Sequence, residues 1–147
     1  MSREEVVWAQ ISSILKADTD LSYIQAVYEG WRENVIDNLF PCIYLEPESS
    51  SEEPYTVPNR HRIIFTVRII AEISVIDPDK QIIGDTSIKG IIDVANDIKS
   101  VLMKTPNLNA TCQKFNFSNT AYQFKNFPFR QADILMNIEL ITTGAPR

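Results

Sequence analysis

The alternation of apolar and polar residues is sharpest over residues 62–76. Ile63, Phe65, Val67, Ile69, Ala71, Ile73 and Val75 fall on one side of a period-two repeat. Arg62, Ile64, Thr66, Arg68, Ile70, Glu72 and Ser74 fall on the other side, the mixture expected of a sheet face that is partly covered and partly wet. This spacing predicts one long strand. Asp77-Pro78-Asp79 closes it, because proline lacks the ladder donor and aspartate favours turns.

Two stretches repeat at helical spacing instead. Ser2 and Glu5 stand three apart, as a capping box requires, and Val7, Ile11, Ile14 and Leu15 follow as one apolar stripe. A helix should therefore run from there to about Ala17 and Asp18. A second helix is predicted over residues 86–103, with Ile88, Ile91, Ile92, Ala95, Ile98 and Leu102 on one face. Lys104 suits the negative end of its dipole, and Pro106 prevents its continuation. Gly90 costs such a helix about 1 kcal/mol relative to alanine, which suggests a close backbone approach there.

The remaining segments are shorter. Residues 22–28 alternate as a short strand ended by Gly30, and residues 31–40 fit either a loop or a helical turn. Cys42 to Leu45 lie between Pro41 and Pro47, which predicts a strand of about five residues bracketed by prolines. Residues 46–59 carry Glu46, Glu48, Glu52 and Glu53, the triplet Ser49-Ser50-Ser51 and three prolines, and read as a long mobile acidic loop. Strands are also expected over 111–117 and 132–140. In order, these elements predict one α+β domain spanning 1–147, with a mainly antiparallel β-sheet and two α-helices packed on one face. No internal repeat is visible.

Composition supports a packed core: 44% of the 147 residues are hydrophobic and 22% charged. The first residues lack the order of a secretory signal, and no apolar run approaches the ~20 residues of a membrane span. The expected compartment is the cytoplasm of the producing cell, with no membrane partner. A net charge of −5 opposes binding to phosphate backbones, and Arg60-His61-Arg62 is too short a basic patch to override it.

Candidate chemistry is sparse. His61 is the single histidine, and between two arginines it reads as a solvated strand residue rather than a catalytic base. Asp77 and Asp79 lack the further oxygen ligands of a calcium loop. The four glycines form no phosphate cradle. Cys42 and Cys112 sit in apolar segments without metal-ligand spacing, as small buried thiols do. Phe115, Phe117, Tyr122, Phe124, Phe127 and Phe129 interleave with Lys114, Lys125 and Arg130. Such a mixture can stack bases, although a hairpin whose aromatics fill the core or a subunit contact is the simpler reading. No catalytic, cofactor-binding or metal residue stands out, and no cofactor is expected.

Taken in order, the N-terminal helix, the proline-bracketed strand, the acidic loop, the long strand, the second helix and the closing strand resemble tail-terminator and tail-completion proteins of long-tailed bacteriophages. The resemblance implies a non-enzymatic virion protein, assembled in the host bacterial cytoplasm, that forms a homo-oligomeric ring, commonly a hexamer. Such a ring caps the tail tube, meets the head connector and lets DNA pass without specific binding. The resemblance assigns no individual residue; from the acidic loop and the wet face of the long strand, subunit or partner contacts are expected at Glu46, Glu48, Glu52, Glu53, Arg62 and Arg68. The competing class is a small-ligand-binding or minor enzymatic domain on a similar scaffold.

Overall fold

A computed structural model describes residues 2–30, 39–54 and 60–143. Helix α1 (Arg3–Ala17) opens with the expected capping box: Glu5 N donates to Ser2 Oγ at 3.1 Å, and Ser2 N donates to Glu5 Oε1 at 3.3 Å. Its stripe of Val7, Ile11 and Leu15 is buried. Asp18 then accepts from Asp20 N at 2.9 Å and caps a single 3-10 turn, Thr19–Leu21.

The chain keeps turning beyond it, with Ser22 N donating to the Thr19 carbonyl and Ile24 N to that of Leu21, so strand β1 is confined to Ala26–Glu29. Gly30 ends it as expected, at a φ of +91° where a side chain would be strained. Strand β2 (Cys42–Pro54) corrects the reading of two separate pieces, a five-residue strand and an acidic loop. Residues 46–54 continue the strand and pair with β3 (Arg60–Ser74) as far as Pro54 opposite His61. Pro47 does not stop the ladder because β1 ends at Glu29 opposite Leu45, leaving β2 as an edge beyond that point, where a missing N–H costs little. A register shift follows immediately between Pro47 and Ser49. Residues 55–59 of the expected loop, and 31–38 of the segment before β2, lie outside the described residues.

The long strand is the centre of the sheet, whose order is β1-β2-β3-β5-β4, with β4 spanning Lys114–Phe124 and β5 spanning Phe129–Thr143. β1 and β2 are parallel and every other pairing is antiparallel. Both closing strands outrun the expected segments. β4 continues past a register shift between Phe117 and Asn119, where the alternation read from sequence breaks down.

Helix α2 (Ile91–Met103) starts five residues later than expected. Residues 82–90 instead form a tight loop, in which Asp85 accepts from Ser87 N and Ile88 N at 2.8 and 2.9 Å. Asp93 accepts from Gly84 N at 2.7 Å and Gly90 N at 3.0 Å, tying the loop to the first turn of the helix. The close approach expected at Gly90 is present: a Cβ there would lie 2.4 Å from the carbonyl oxygen of Ile82. Lys104 does more than meet the dipole, since its ammonium reaches Asp18 and Asp20, with the Asp20 contact at 2.7 Å. Beyond Pro106, Asn107 to Ala110 make a left-handed turn, with φ between 49° and 63°. Leu108 anchors this turn in the core.

One apolar cluster joins α1, α2 and one face of the sheet. Ile63, Val67, Ile69, Ala71 and Ile73 of β3 lie in it with Ile134, Met136, Ile138 and Leu140 of β5, beneath Val7 and Ile11 of α1 and Val94, Ile98 and Leu102 of α2. Each such side chain contributes about 1.5–3 kcal/mol by leaving water. The molecule is thus α+β, with both helices on one face of a mainly antiparallel sheet.

Candidate functional site

The opposite face of the sheet is the distinctive surface, because no helix covers it among the described residues. One end of it is closed by a second, smaller apolar cluster of Cys42, Tyr44 and Ile70, with Ala26, Tyr28 and Phe40 packed on it. The Tyr28 and Tyr44 rings stack at 5.4 Å, and Phe40 lies 5.2 Å from Phe129. Burial pushes the Cys42 thiol up to about 11, against a smaller opposing effect of its hydrogen bond with Tyr44, so it stays protonated and unreactive at neutral pH. Cys112, on the helix-covered side, is likewise pushed up to about 11 by burial. Both cysteines are buried free thiols, as their apolar surroundings suggested.

Towards the other end, alternating charges cross four strands. Glu53 of β2 contacts the Arg62 guanidinium of β3, which lies 3.7 Å from Glu139 of β5. The same Glu139 carboxylate lies 3.7 Å from the ammonium of Lys114 on β4. Midway along the face Arg68 meets Glu48 at 3.1 Å, and Thr66 Oγ1 donates to Asn137 Oδ1 at 2.8 Å. The pairing follows from register. Glu53 stands opposite Arg62, and the shift after Pro47 lets Glu48 reach Arg68, which stands opposite Glu46.

Of the six residues singled out by sequence, the structure therefore gathers five on this face. Glu48 and Glu53 are in ion pairs with Arg68 and Arg62, and Glu46 shares a cleft with Arg68. Glu52 stands opposite Ile63, a core position, and so belongs to the other side of β2. The cleft has a volume of about 390 Å³ and is floored by Ile70. Gln123, Gln131 and Asp133 close its far side. Gln131 Nε2 donates to Asp133 Oδ1 at 2.7 Å, whereas Gln131 Oε1 and Arg68 Nε are buried without a hydrogen-bond partner. Glu72 is half-buried on the same face, and burial raises its carboxyl pKa, partly offset by Lys125.

Gln131, Asp133 and Glu139 went unnoticed in sequence because β5 drew notice only for its apolar positions. Its polar positions carry the same period, and would have marked the second half of this face.

The other chemical candidates resolve simply. His61 is a residue of β3 opposite Thr142, and Asp77 caps a 3-10 turn at Pro78–Lys80 by accepting from Asp79 N at 3.1 Å. Phe115 and Phe117 pack on the core, while Tyr122, Phe124 and Phe127 are exposed. Among the described residues no three His, Cys, Asp or Glu side chains gather to hold a metal ion, and no helix is long and apolar enough to cross a membrane.

Fold and surface together define an α+β domain with one face filled by helices and one without a helix over it among the described residues. No protein-family model and no curated protein matches the sequence. Among solved structures, a chain of a particle described as "Virion of native gene transfer agent (GTA) particle" has the same fold, with a TM-score of 0.51 at 9% identity over 91% of this chain and 93% of that one.

Proposed function

We propose that this chain is a structural virion protein of the tail-terminator type, which assembles with copies of itself into a ring closing a tail tube. The observation that carries the reading is the fold correspondence with a chain of a gene transfer agent virion, over 91% of this chain and 93% of that one. The uncovered face adds support. Its paired side chains Glu48, Glu53, Arg62 and Arg68 remain 38–45% exposed and so stay available to a neighbouring surface. Glu46, Glu48, Glu53, Arg62 and Arg68 form this contact surface, and Glu52, on the other side of β2, lies outside it. The acidic balance of the ring lets DNA pass without being gripped.

Quantitative mass spectrometry of particles released by the producing cell tests the reading. The chain is expected at a small, fixed number of copies per particle, and its absence from purified particles overturns the proposal. A second reading, a small-ligand site, is favoured only by the polar cleft beside Arg68 and Gln131. It requires a monomer that binds a polar ligand saturably.

A further inference from the structure

The β4–β5 hairpin lends Lys114, Gln123 and Gln131 to the uncovered face, and its far end is an exposed aromatic tip. Residues 114–132 hold Lys114, Lys125 and Arg130 and no carboxylate, in a chain whose net charge is −5. At the tip Phe124 and Phe127 are 61% and 56% exposed, far beyond ordinary core residues. Ile76, Ile82 and Ile83 are exposed at the same end of the sheet. The arrangement is held firmly. Gln81, 2% exposed, donates to the carbonyl of Val75 at 2.8 Å and accepts from Arg130 Nε at 3.1 Å. The Arg130 guanidinium in turn lies 4.6 Å from the centre of the Phe124 ring. A concentrated, pinned apolar patch of this kind marks an interaction surface.

The complementary surface lies on the same chain. Trp8, Ala9, Pro47 and Phe65 line an apolar groove of about 380 Å³ between α1 and the β1–β2 margin of the sheet. Its remaining lining residues are Glu4, Glu5 and Glu29, with no basic side chain. Glu29 accepts from the Trp8 indole at 2.9 Å, which fixes the ring as one wall. Phe65 in the groove lies nine residues along β3 from Ser74, which pairs with Phe129 beside the tip, roughly 30 Å at ~3.3 Å per residue, so tip and groove cannot meet within one chain.

We infer that the Phe124–Phe127 tip of one copy inserts into the Trp8 groove of the next, giving a head-to-tail contact between copies of this chain. Apolar rings meet an apolar groove, and Lys125 and Arg130 approach the carboxylates of Glu4, Glu5 and Glu29. A heterologous contact of this sort propagates, closing into a ring when its rotation allows. The inference rests on the ring reading and adds a tip-to-groove joint to the contacts of the uncovered face. The same aromatic and basic residues suit a single-stranded nucleic acid, but the matching acidic groove favours a second copy.

Two exposed positions allow a decisive experiment. Phe127→Asp spoils the tip and Ala9→Trp fills the groove. Each variant alone is expected to stay monomeric with an unchanged melting curve, while an equimolar mixture forms dimers and nothing larger, since one intact tip and one intact groove remain. Should Phe127→Asp lower the melting point, Lys125→Glu serves as the second tip variant. Rings that persist in either variant overturn this contact and leave the ring reading standing. A wild type that is monomeric at every concentration overturns both. Retention of a single-stranded oligonucleotide by the wild type, lost in Phe127→Asp with no change in mass, assigns the hairpin to nucleic acid and overturns the inference.

Discussion

Val67 and Arg68 are neighbours in sequence, yet they stand on faces of the sheet that obey different physics. Val67 is fully buried beneath two helices, among side chains whose only requirement is dense apolar packing. Arg68 stands on the face with no helix, 38% exposed, ion-paired to Glu48 and with one buried nitrogen unsatisfied. The covered face is complete within one subunit. The other is half-finished: apolar around Tyr44 and Ile70, ionic from Glu53 to Lys114, and short of partners in between. Under the proposed ring, that difference separates what makes the chain fold from what would make it assemble.

Breaking the covered face should have the largest effect. Val67→Asp places a carboxylate in the core, at an expected cost of several kcal/mol, enough to leave the domain unfolded in urea titration or circular dichroism. A cooperative transition near that of the wild type would show the face assignment to be reversed. Arg68→Ala should cost no more than about 1 kcal/mol, because the pair with Glu48 is exposed and solvent-screened, while weakening self-association measurably in sedimentation. Equal losses at both positions would erase the distinction between the faces.

Glu72→Gln sharpens the comparison with the smallest effect. Burial raises the Glu72 pKa above its ordinary 4.5, so the folded state binds that proton more tightly than the unfolded chain. The resulting stabilisation is fully present below pH 4.5 and is lost as the pH rises through the folded value. The neutral glutamine should therefore raise the melting point slightly at pH 7 and confer no advantage at the acidic end. A destabilised variant at pH 7 would mean that the carboxylate is better paired than its surroundings indicate.

The core was legible because period alone specifies it. Every second residue from Ile63 through Ile73 is apolar, and Ser2 with Glu5 announces the first helix by chemistry that acts over three residues. Elsewhere the local signals pointed away from the structure. Prolines, serines and glutamates over residues 46–54 favour a loop when read singly. The pairing of Glu53 with Arg62 and of Pro54 with His61 depends on a neighbouring strand that local reading cannot supply. Ile88 extends the helical period backwards past Gly90, but Asp85 and Asp93 capture the backbone N–H groups there and delay the helix. The candidate surface was half legible for the same reason. Arg62 and Arg68 stood out as charges on a strong strand, whereas Gln131 and Glu139 acquire meaning only once β5 lies beside β3.

Assembly from one repeated subunit is the central claim, and the native mass of the purified wild-type chain tests it most directly. The account predicts a single closed species at an integral multiple of the 16.8 kDa subunit, reached as concentration rises and diminished by Arg68→Ala. A lone 16.8 kDa species at every concentration and salt condition would contradict it.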